Sequence, residues 1–287
     1  MKLDKILSGH EKGHLSVACQ GVECSYASIA CNKAFLQPDI HFYPNFEDVF
    51  YAVSHGDCPY GLIPIENTLA GSVTENYDLM LEYNLSIVGS VTIPVDHCLL
   101  TLPGADLEGL SLVLSHPQAL HQCSEFFKAN RHLSSREFSN TAAAAQYVAE
   151  QKDPAFAAIG SSACAEKYGL QIHSAGIQNR KKNFTRFLVI SRENICTPEC
   201  NRMSMIFRLS HRPGSLIHAL NHFAERNINL LKLESRPIPE SPFEFVFYCD
   251  FSGNYEDADI QSAMGRLPMD LVYMKFLGNY PDIPADL

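Results

Sequence analysis

The 287-residue sequence contains no run of about 18 to 20 consecutive apolar residues, the length a helix needs to cross a bilayer, so no membrane span is predicted. It also lacks a basic stripe. Lys and Arg total 22 against 32 Asp and Glu, a formal net charge of -10, whereas nucleic-acid binding draws on clustered cations. The nearest local clusters are Ser8 to His14 and Asn179 to Asn183. Within the latter, Arg180-Lys181-Lys182 reads as a solvated loop, better suited to a small polyanion than to a phosphate backbone. The glycine patterns of Rossmann and P-loop sites are missing, as is the G-x-S-x-G of serine hydrolases, which removes dinucleotide, nucleotide and that hydrolase chemistry. Ser115-His116 is no substitute, because adjacent residues in a strand or cap point apart. No segment is low in complexity, and 46% hydrophobic with 19% charged residues is a globular composition.

Cysteine is present, ten times (19, 24, 31, 58, 98, 123, 164, 196, 200, 249), but without a disulfide framework. The chain opens on charged Met1-Lys2-Leu3-Asp4-Lys5 with no apolar signal region, so the thiols are expected reduced and mostly buried in a cytoplasmic protein. Cys196-x3-Cys200 followed by His218-x3-His222 imitates a zinc finger. Its central spacing is too long, and both histidines fall on a helix whose core face is Leu216, Leu220 and Phe223, so no metal site and no cofactor are expected.

The length fits two or three compact units. Residues 14–191 alternate strand-like and helical stretches, the pattern of an α/β unit with mostly parallel sheet. Strands are predicted at His14 to Cys19, His41 to Tyr43, Tyr60 to Pro64, Leu85 to Pro94, Leu110 to Leu114, Ala155 to Ile159 and Phe187 to Ile190. Helices are predicted at Ser25 to Phe35, Phe46 to Ser54, within Asn67 to Tyr83, and at Pro117 to Asn130, Thr141 to Gln151 and Ser161 to Tyr168, the last ending on Gly169 as C-cap. Two lobes joined by crossing strands, with a ligand cleft between them, account for this order. Residues 192–201 are polar, carry Pro198, have neither period and read as a linker. Residues 202–280 then run βαββαβ, with Phe243, Phe245, Phe247, Cys249 and Phe251 alternating, the order of a ferredoxin-like domain.

Three short blocks stand where chemistry is expected. Glu66, Asn67 and Thr68 follow a buried strand, at the carboxyl end where open α/β sheets bind ligands; an ordinary Asn turn explains them equally well. Ser115-His116-Pro117 caps a helix carrying Gln122 and Cys123; a capped helix is explanation enough, and the functional reading adds that its free N-terminal amides favour a carboxylate. Thr185 and Arg186 enter the last strand of the first unit, an arrangement suited to forking a carboxylate beside a hydroxyl donor; a surface Arg is the plainer reading.

Gly61 to Val73 (GLIPIENTLAGSV), Ser115 to Cys123 (SHPQALHQC), Asn183 to Phe187 (NFTRF), and Gln20-Gly21-Val22 before Tyr26 resemble, in order and spacing, the signature blocks of prephenate dehydratases. Gly214-Ser215-Leu216 and Glu234-Ser235-Arg236-Pro237 resemble the ACT module of the same enzymes, so the resemblance spans about the whole chain. It departs from the family at Cys24-Ser25-Tyr26-Ala27, where Ala27 replaces the usual Ser, and at Ser215, which replaces an Ala.

The resemblance implies two periplasmic-binding-protein-like lobes, a homodimer or homotetramer, and aromatisation of prephenate to phenylpyruvate without cofactor. Thr185 would then donate to the leaving hydroxyl, with Asn67, Ser115 and Gln122 as neutral partners. Glu66 or a water would supply the proton, and Arg186, Phe187, Thr68 and Tyr26 would hold the substrate. L-Phenylalanine would bind at ACT interfaces through Gly214, Ser215, Leu216, Asn229, Leu230, Glu234 and Ser235. Arogenate dehydratase, or a non-catalytic two-lobed solute-binding module, are the alternatives.

Overall fold

The computed structural model describes residues 2–3, 15–238 and 241–285. The cluster Ser8 to His14, and the first residue of the strand predicted from His14, lie outside them. In chain order the elements of the first domain are β1 (Ser16–Gln20), α1 (Tyr26–Ala34), β2 (Asp39–Tyr43), α2 (Phe46–His55), β3 (Tyr60–Asn67), β4 (Gly71–Ser72), α3 (Thr74–Glu82) and β5 (Ser86–Pro94). They continue with β6 (Cys98–Thr101), β7 (Leu112–Ser115), α4 (Pro117–Gln122), α5 (Ser124–Ala129), β8 (Ser134–Glu137), α6 (Thr141–Gln151), β9 (Phe156–Gly160), α7 (Ser162–Tyr168), β10 (Gln171–Ala175) and β11 (Phe184–Ser191). Then follow β12 (Arg202–Leu209), α8 (Ser215–Ala224), β13 (Leu230–Ile238), β14 (Ser241–Ser252), α9 (Ala258–Arg266), β15 (Leu271–Tyr280) and β16 (Asp282–Ile283).

Two sheets form two lobes. The first runs β16-β5-β11-β3-β1-β2, with β4 on β3; the second runs β10-β6-β9-β7-β8. The chain passes between them after β5 and again before β11, the expected crossing strands. Neither sheet is mostly parallel, contrary to the expectation. β11 runs antiparallel to both β3 and β5, and β6 antiparallel to both β9 and β10. The crossings cause this, since a strand returning from the other lobe enters its sheet from the opposite end. The helix predicted over Pro117 to Asn130 is two helices, broken where Cys123 leaves helical geometry.

The third sheet, β13-β14-β12-β15, is antiparallel and carries α8 and α9 on one face, a ferredoxin-like arrangement. The middle of its other face does not meet water. Ile206, Val246, Tyr248, Leu277 and Tyr280 belong to one apolar core with Phe50, Ile63, Tyr77 and Leu188 of the first lobe. Burial on this scale contributes roughly 25 cal/mol per Å² of apolar surface removed from water, so the interface is a fold-stabilising core and not a loose tether.

Candidate active site

The concavity between the lobes holds about 540 Å³ and is bordered by β3, β4, β11 and five helix starts, Phe46 of α2 among them. Its walls include Tyr26 and Ala27 of α1, Thr74 and Glu75 of α3, Gln118 and Gln122 of α4, and Thr141 of α6. Three of these helices, α1, α3 and α6, have nine or more residues, so their first-turn amides present aligned dipoles. Among the described residues no Lys or Arg lines the cleft, while Phe46, Pro64, Val95 and Phe187 give it apolar patches.

The donors are held by register. β11 pairs with β3 so that Thr185 lies opposite Asn67 and Arg186 opposite Glu66. The Oδ1 of Asn67 accepts from the backbone N–H of Leu69 (3.0 Å) and Ala70 (2.9 Å), an Asx turn that fixes its amide. Its Nδ2 therefore faces three acceptors: Asn183 Oδ1 (2.7 Å), Phe184 O (3.0 Å) and Thr185 Oγ1 (2.9 Å). Because Thr185 accepts there, its own hydroxyl hydrogen is available to the cleft.

Behind Asn183 the chain of hydrogen bonds continues. Asn183 Nδ2 donates to Gln122 Oε1 (3.0 Å), which also lies 2.9 Å from His97 Nε2. Tyr26 Oη donates to the carbonyl of Asp96 (2.6 Å) and lies 3.1 Å from His97 Nδ1. Burial holds the His97 imidazole below its ordinary pKa, opposed by its Gln122 bond and by Asp96. It is therefore neutral near pH 7. His97 escaped the sequence reading, and Asn183 entered it as the first residue of the NFTRF block without a role; a polar residue inside each crossing segment was the available signal.

Of the residues expected to act on or hold substrate, Thr185, Asn67, Gln122, Phe187 and Tyr26 border the cleft and the others do not. Ser115 is buried and donates to the carbonyl of Ile159 (2.6 Å), tying β7 to β9. Thr68 seals the β3–β11 end, its Oγ1 accepting from Phe184 N–H (2.9 Å). Arg186 and Glu66 differ most from expectation. Side chains alternate along a strand, so Arg186 points away from the face that carries Thr185 and Phe187. Its Nε lies 2.8 Å from Glu66 Oε1, an ion pair whose angle misses a hydrogen bond, and its Nη2 donates to Asp250 (2.7 Å) of the second domain. Arg202 binds the same Asp250 oxygen at 2.9 Å.

Glu66 is likewise held from behind. Its other oxygen accepts from Lys232 (2.7 Å), which also donates to Ser72 (2.9 Å), and Ser72 in turn donates to Glu234 (2.9 Å). Burial raises the Glu66 carboxyl, but Arg186 and Lys232 outweigh it and leave the pKa below the usual value. An ionised carboxylate facing the second domain is not a proton source for the cleft, which corrects that part of the expectation. Ala27 lines the cleft where the family pattern has Ser, and Ser25 caps α1, its Oγ accepting from Ser28 N–H (3.3 Å).

In the second domain, Gly214 adopts φ +86° ahead of α8, a turn that glycine favours. Ser215 and Leu216 line a cavity of about 270 Å³ with Arg208, Arg212, Phe245 and Phe247. Asn229 caps β14 through its carbonyl, and Leu230 joins the helix-side core. Glu234 turns toward Ser72, and Ser235 follows it on β13. The seven effector candidates therefore do not share one cavity within a chain.

Two lobes of mixed sheet with a cleft between them, bordered by helix starts and amide donors, define a two-lobed α/β protein of the ligand-cleft type. The family model for prephenate dehydratase matches residues 17–195, and the chain belongs to that family of lyases. It is 39% identical over 93% of its length to arogenate dehydratase 1 of Petunia hybrida, covering 67% of that protein. It is 36% identical over 94% of its length to the bifunctional chorismate mutase/prephenate dehydratase of Escherichia coli K12, covering 72%. The prephenate dehydratase of Arthrobacter aurescens, solved in complex with L-Phe, superposes with a TM-score of 0.85 over 93% of this chain and 90% of that one, at 24% identity. No helix among the described residues is long and apolar enough to cross a membrane.

Proposed function

We propose that the cleft converts prephenate to phenylpyruvate, and that the ferredoxin-like domain is an ACT domain through which phenylalanine regulates it. The observation that carries the reading is the Asn67-to-Thr185 hydrogen bond, which leaves the Thr185 hydroxyl hydrogen available to a cleft that no Lys or Arg lines among the described residues. The reaction breaks the ring carbon–carboxylate bond and the ring carbon–hydroxyl bond. The electron pair released with CO2 closes the aromatic ring as the hydroxyl leaves with a proton, as water. Thr185 donates to the leaving oxygen and solvent supplies the proton, since Glu66 faces away. A cation on the departing carboxylate would stabilise the ground state more than the transition state, where that charge is being lost. First-turn amides of α1, α3 and α6 and the free Nε2 of Gln122 hold the carboxylates instead, a role the sequence reading gave to Arg186.

Thr185→Ala is expected to lower kcat for phenylpyruvate formation by roughly 10² to 10⁴, the worth of a positioned proton donor, while KM changes little. An unchanged kcat overturns the assignment. The same assay run with arogenate decides between the two substrates. Glu75, the carboxylate among the cleft residues, is the side chain to which an arogenate ammonium has a natural partner, and a higher kcat/KM for arogenate would favour that reading.

Support for phenylalanine control comes from the cavity at the start of α8, with apolar Leu216, Phe245 and Phe247 beside Arg208 and Arg212, and from the L-Phe complex of the Arthrobacter relative. β13 is a sheet edge carrying exposed Leu231 and Leu233, which supports assembly of two or four copies through this domain. Ten unpaired thiols support residence in the reducing cytoplasm.

A further inference from the structure

The hydrogen bonds behind the cleft admit one orientation of every amide, and that orientation ends on His97. Asn67 Oδ1 is committed to two backbone donors, so its Nδ2 faces Asn183 Oδ1; Asn183 must then offer Nδ2 to Gln122 Oε1. A carbonyl oxygen cannot donate, so His97 Nε2 carries the hydrogen of the 2.9 Å bond to Gln122. In the neutral ring Nδ1 is then bare, an acceptor 3.1 Å from Tyr26 Oη, whose single hydrogen the Asp96 carbonyl at 2.6 Å competes for. Gln122 is only 8% exposed, yet its Nε2 has no partner among the described residues and the residue borders the cleft.

The position of His97 in the chain matters as much as its chemistry. It lies in the first crossing segment, and its backbone holds the second: His97 N–H donates to Gln178 Oε1 (2.9 Å), and its carbonyl accepts from Ile177 N–H (3.1 Å). Through its ring it joins Tyr26 of the first lobe to Gln122 of the second. Without the His97 N–H, the Gln122 oxygen keeps Asn183 Nδ2 alone as donor, and the carboxamide turns its oxygen into the cleft more readily, where it would repel a substrate carboxylate.

We propose that His97 is a positioning residue, locking the Gln122 carboxamide with its N–H groups toward the substrate. This rests on the cleft being the dehydratase site proposed above. A mutant cycle tests it. His97→Leu removes the donor, and His97→Gln restores an N–H at about the reach of Nε2. Each is made alone and with Gln122→Ala, and kcat/KM for prephenate is measured on variants whose melting temperatures show them folded. The expected result is a loss of about tenfold or more for His97→Leu, recovery by His97→Gln to within about threefold, and a loss below about threefold when His97→Leu is added to Gln122→Ala. If Gln122→Ala is too slow to assay, phenylpyruvate binding by calorimetry is read through the same cycle. Full activity in His97→Leu, equal losses in the Leu and Gln variants, or equal losses in both Gln122 backgrounds overturns the proposal. A wild-type chain that turns over neither prephenate nor arogenate overturns the proposed function and this inference together.

Discussion

Thr185 and Arg186 are neighbours with opposite duties, and so are Asn67 and Glu66. One member of each pair faces the cleft; the other belongs to a buried ionic cluster with Asp250, Arg202 and Lys232. Arg186 is only 5% exposed, and losing it would leave Asp250 and Glu66 short of compensation in a low-dielectric setting. Arg186→Leu is expected to reduce the unfolding free energy by roughly 3–5 kcal/mol, measured by urea denaturation, because a buried pair broken on one side leaves an unpaired charge. Burial raises the Asp250 carboxyl, but Arg186 and Arg202 more than reverse this and hold it below the usual carboxylate range. Its stabilising contribution is thus complete above the unfolded carboxylate pKa near 4 and disappears as pH falls through the lower folded value. The motif blocks located these residues in the sequence. The division of labour within each block was there too, in the two-residue period of the strands, but it emerges only once the faces are known to differ in what covers them.

At the level of elements, the strands the sequence hid were the short ones. β8 (SSRE) is exposed throughout and β10 (QIHSA) nearly so, and edge strands of this kind show no apolar alternation to read. β6 is four buried residues, too few to tell from a loop crossing the core. Strand direction was equally illegible, since the antiparallel entry of β11 follows from where the chain returns and not from its side chains. The seam between the domains depends on one small residue. Gly278 of β15 has φ +153° and packs against β5 so closely that an added Cβ would collide with the carbonyl of Ile87. Gly278→Ala is expected to lower the melting temperature by several degrees while leaving the isolated cleft residues intact, and scanning calorimetry checks it; an unaltered melting profile would show that the seam can yield.

Over the whole molecule, the ferredoxin-like domain closes the core of the first lobe and does not merely follow it. Removing residues 202 onward would expose Ile63, Tyr77 and Leu188 where Ile206, Val246, Tyr248 and Leu277 now cover them. A chain ending after Asn201 is expected to melt well below the full-length protein and to bind a hydrophobic dye such as ANS, two measurements that a freely tethered regulatory domain would not affect. The same closeness would give the proposed effector on the second domain short routes to the cleft: Glu234 and Lys232 of β13 both bond Ser72, which borders it. Two domains and a linker are what the linear order leads one to expect, but not this shared core, because apolar residues carry no record of which neighbour they will meet.

The path of the chain also crosses back to the first lobe after β15. There β16 pairs in parallel with β5, Asp282 opposite Ser90 and Ile283 opposite Val91. During synthesis, therefore, the outer edge of β5 has no partner until the whole second domain has left the ribosome. The first lobe is made early and finished last, and in the interval a nascent chain presents an open strand edge on which a chaperone, or another nascent copy, can act.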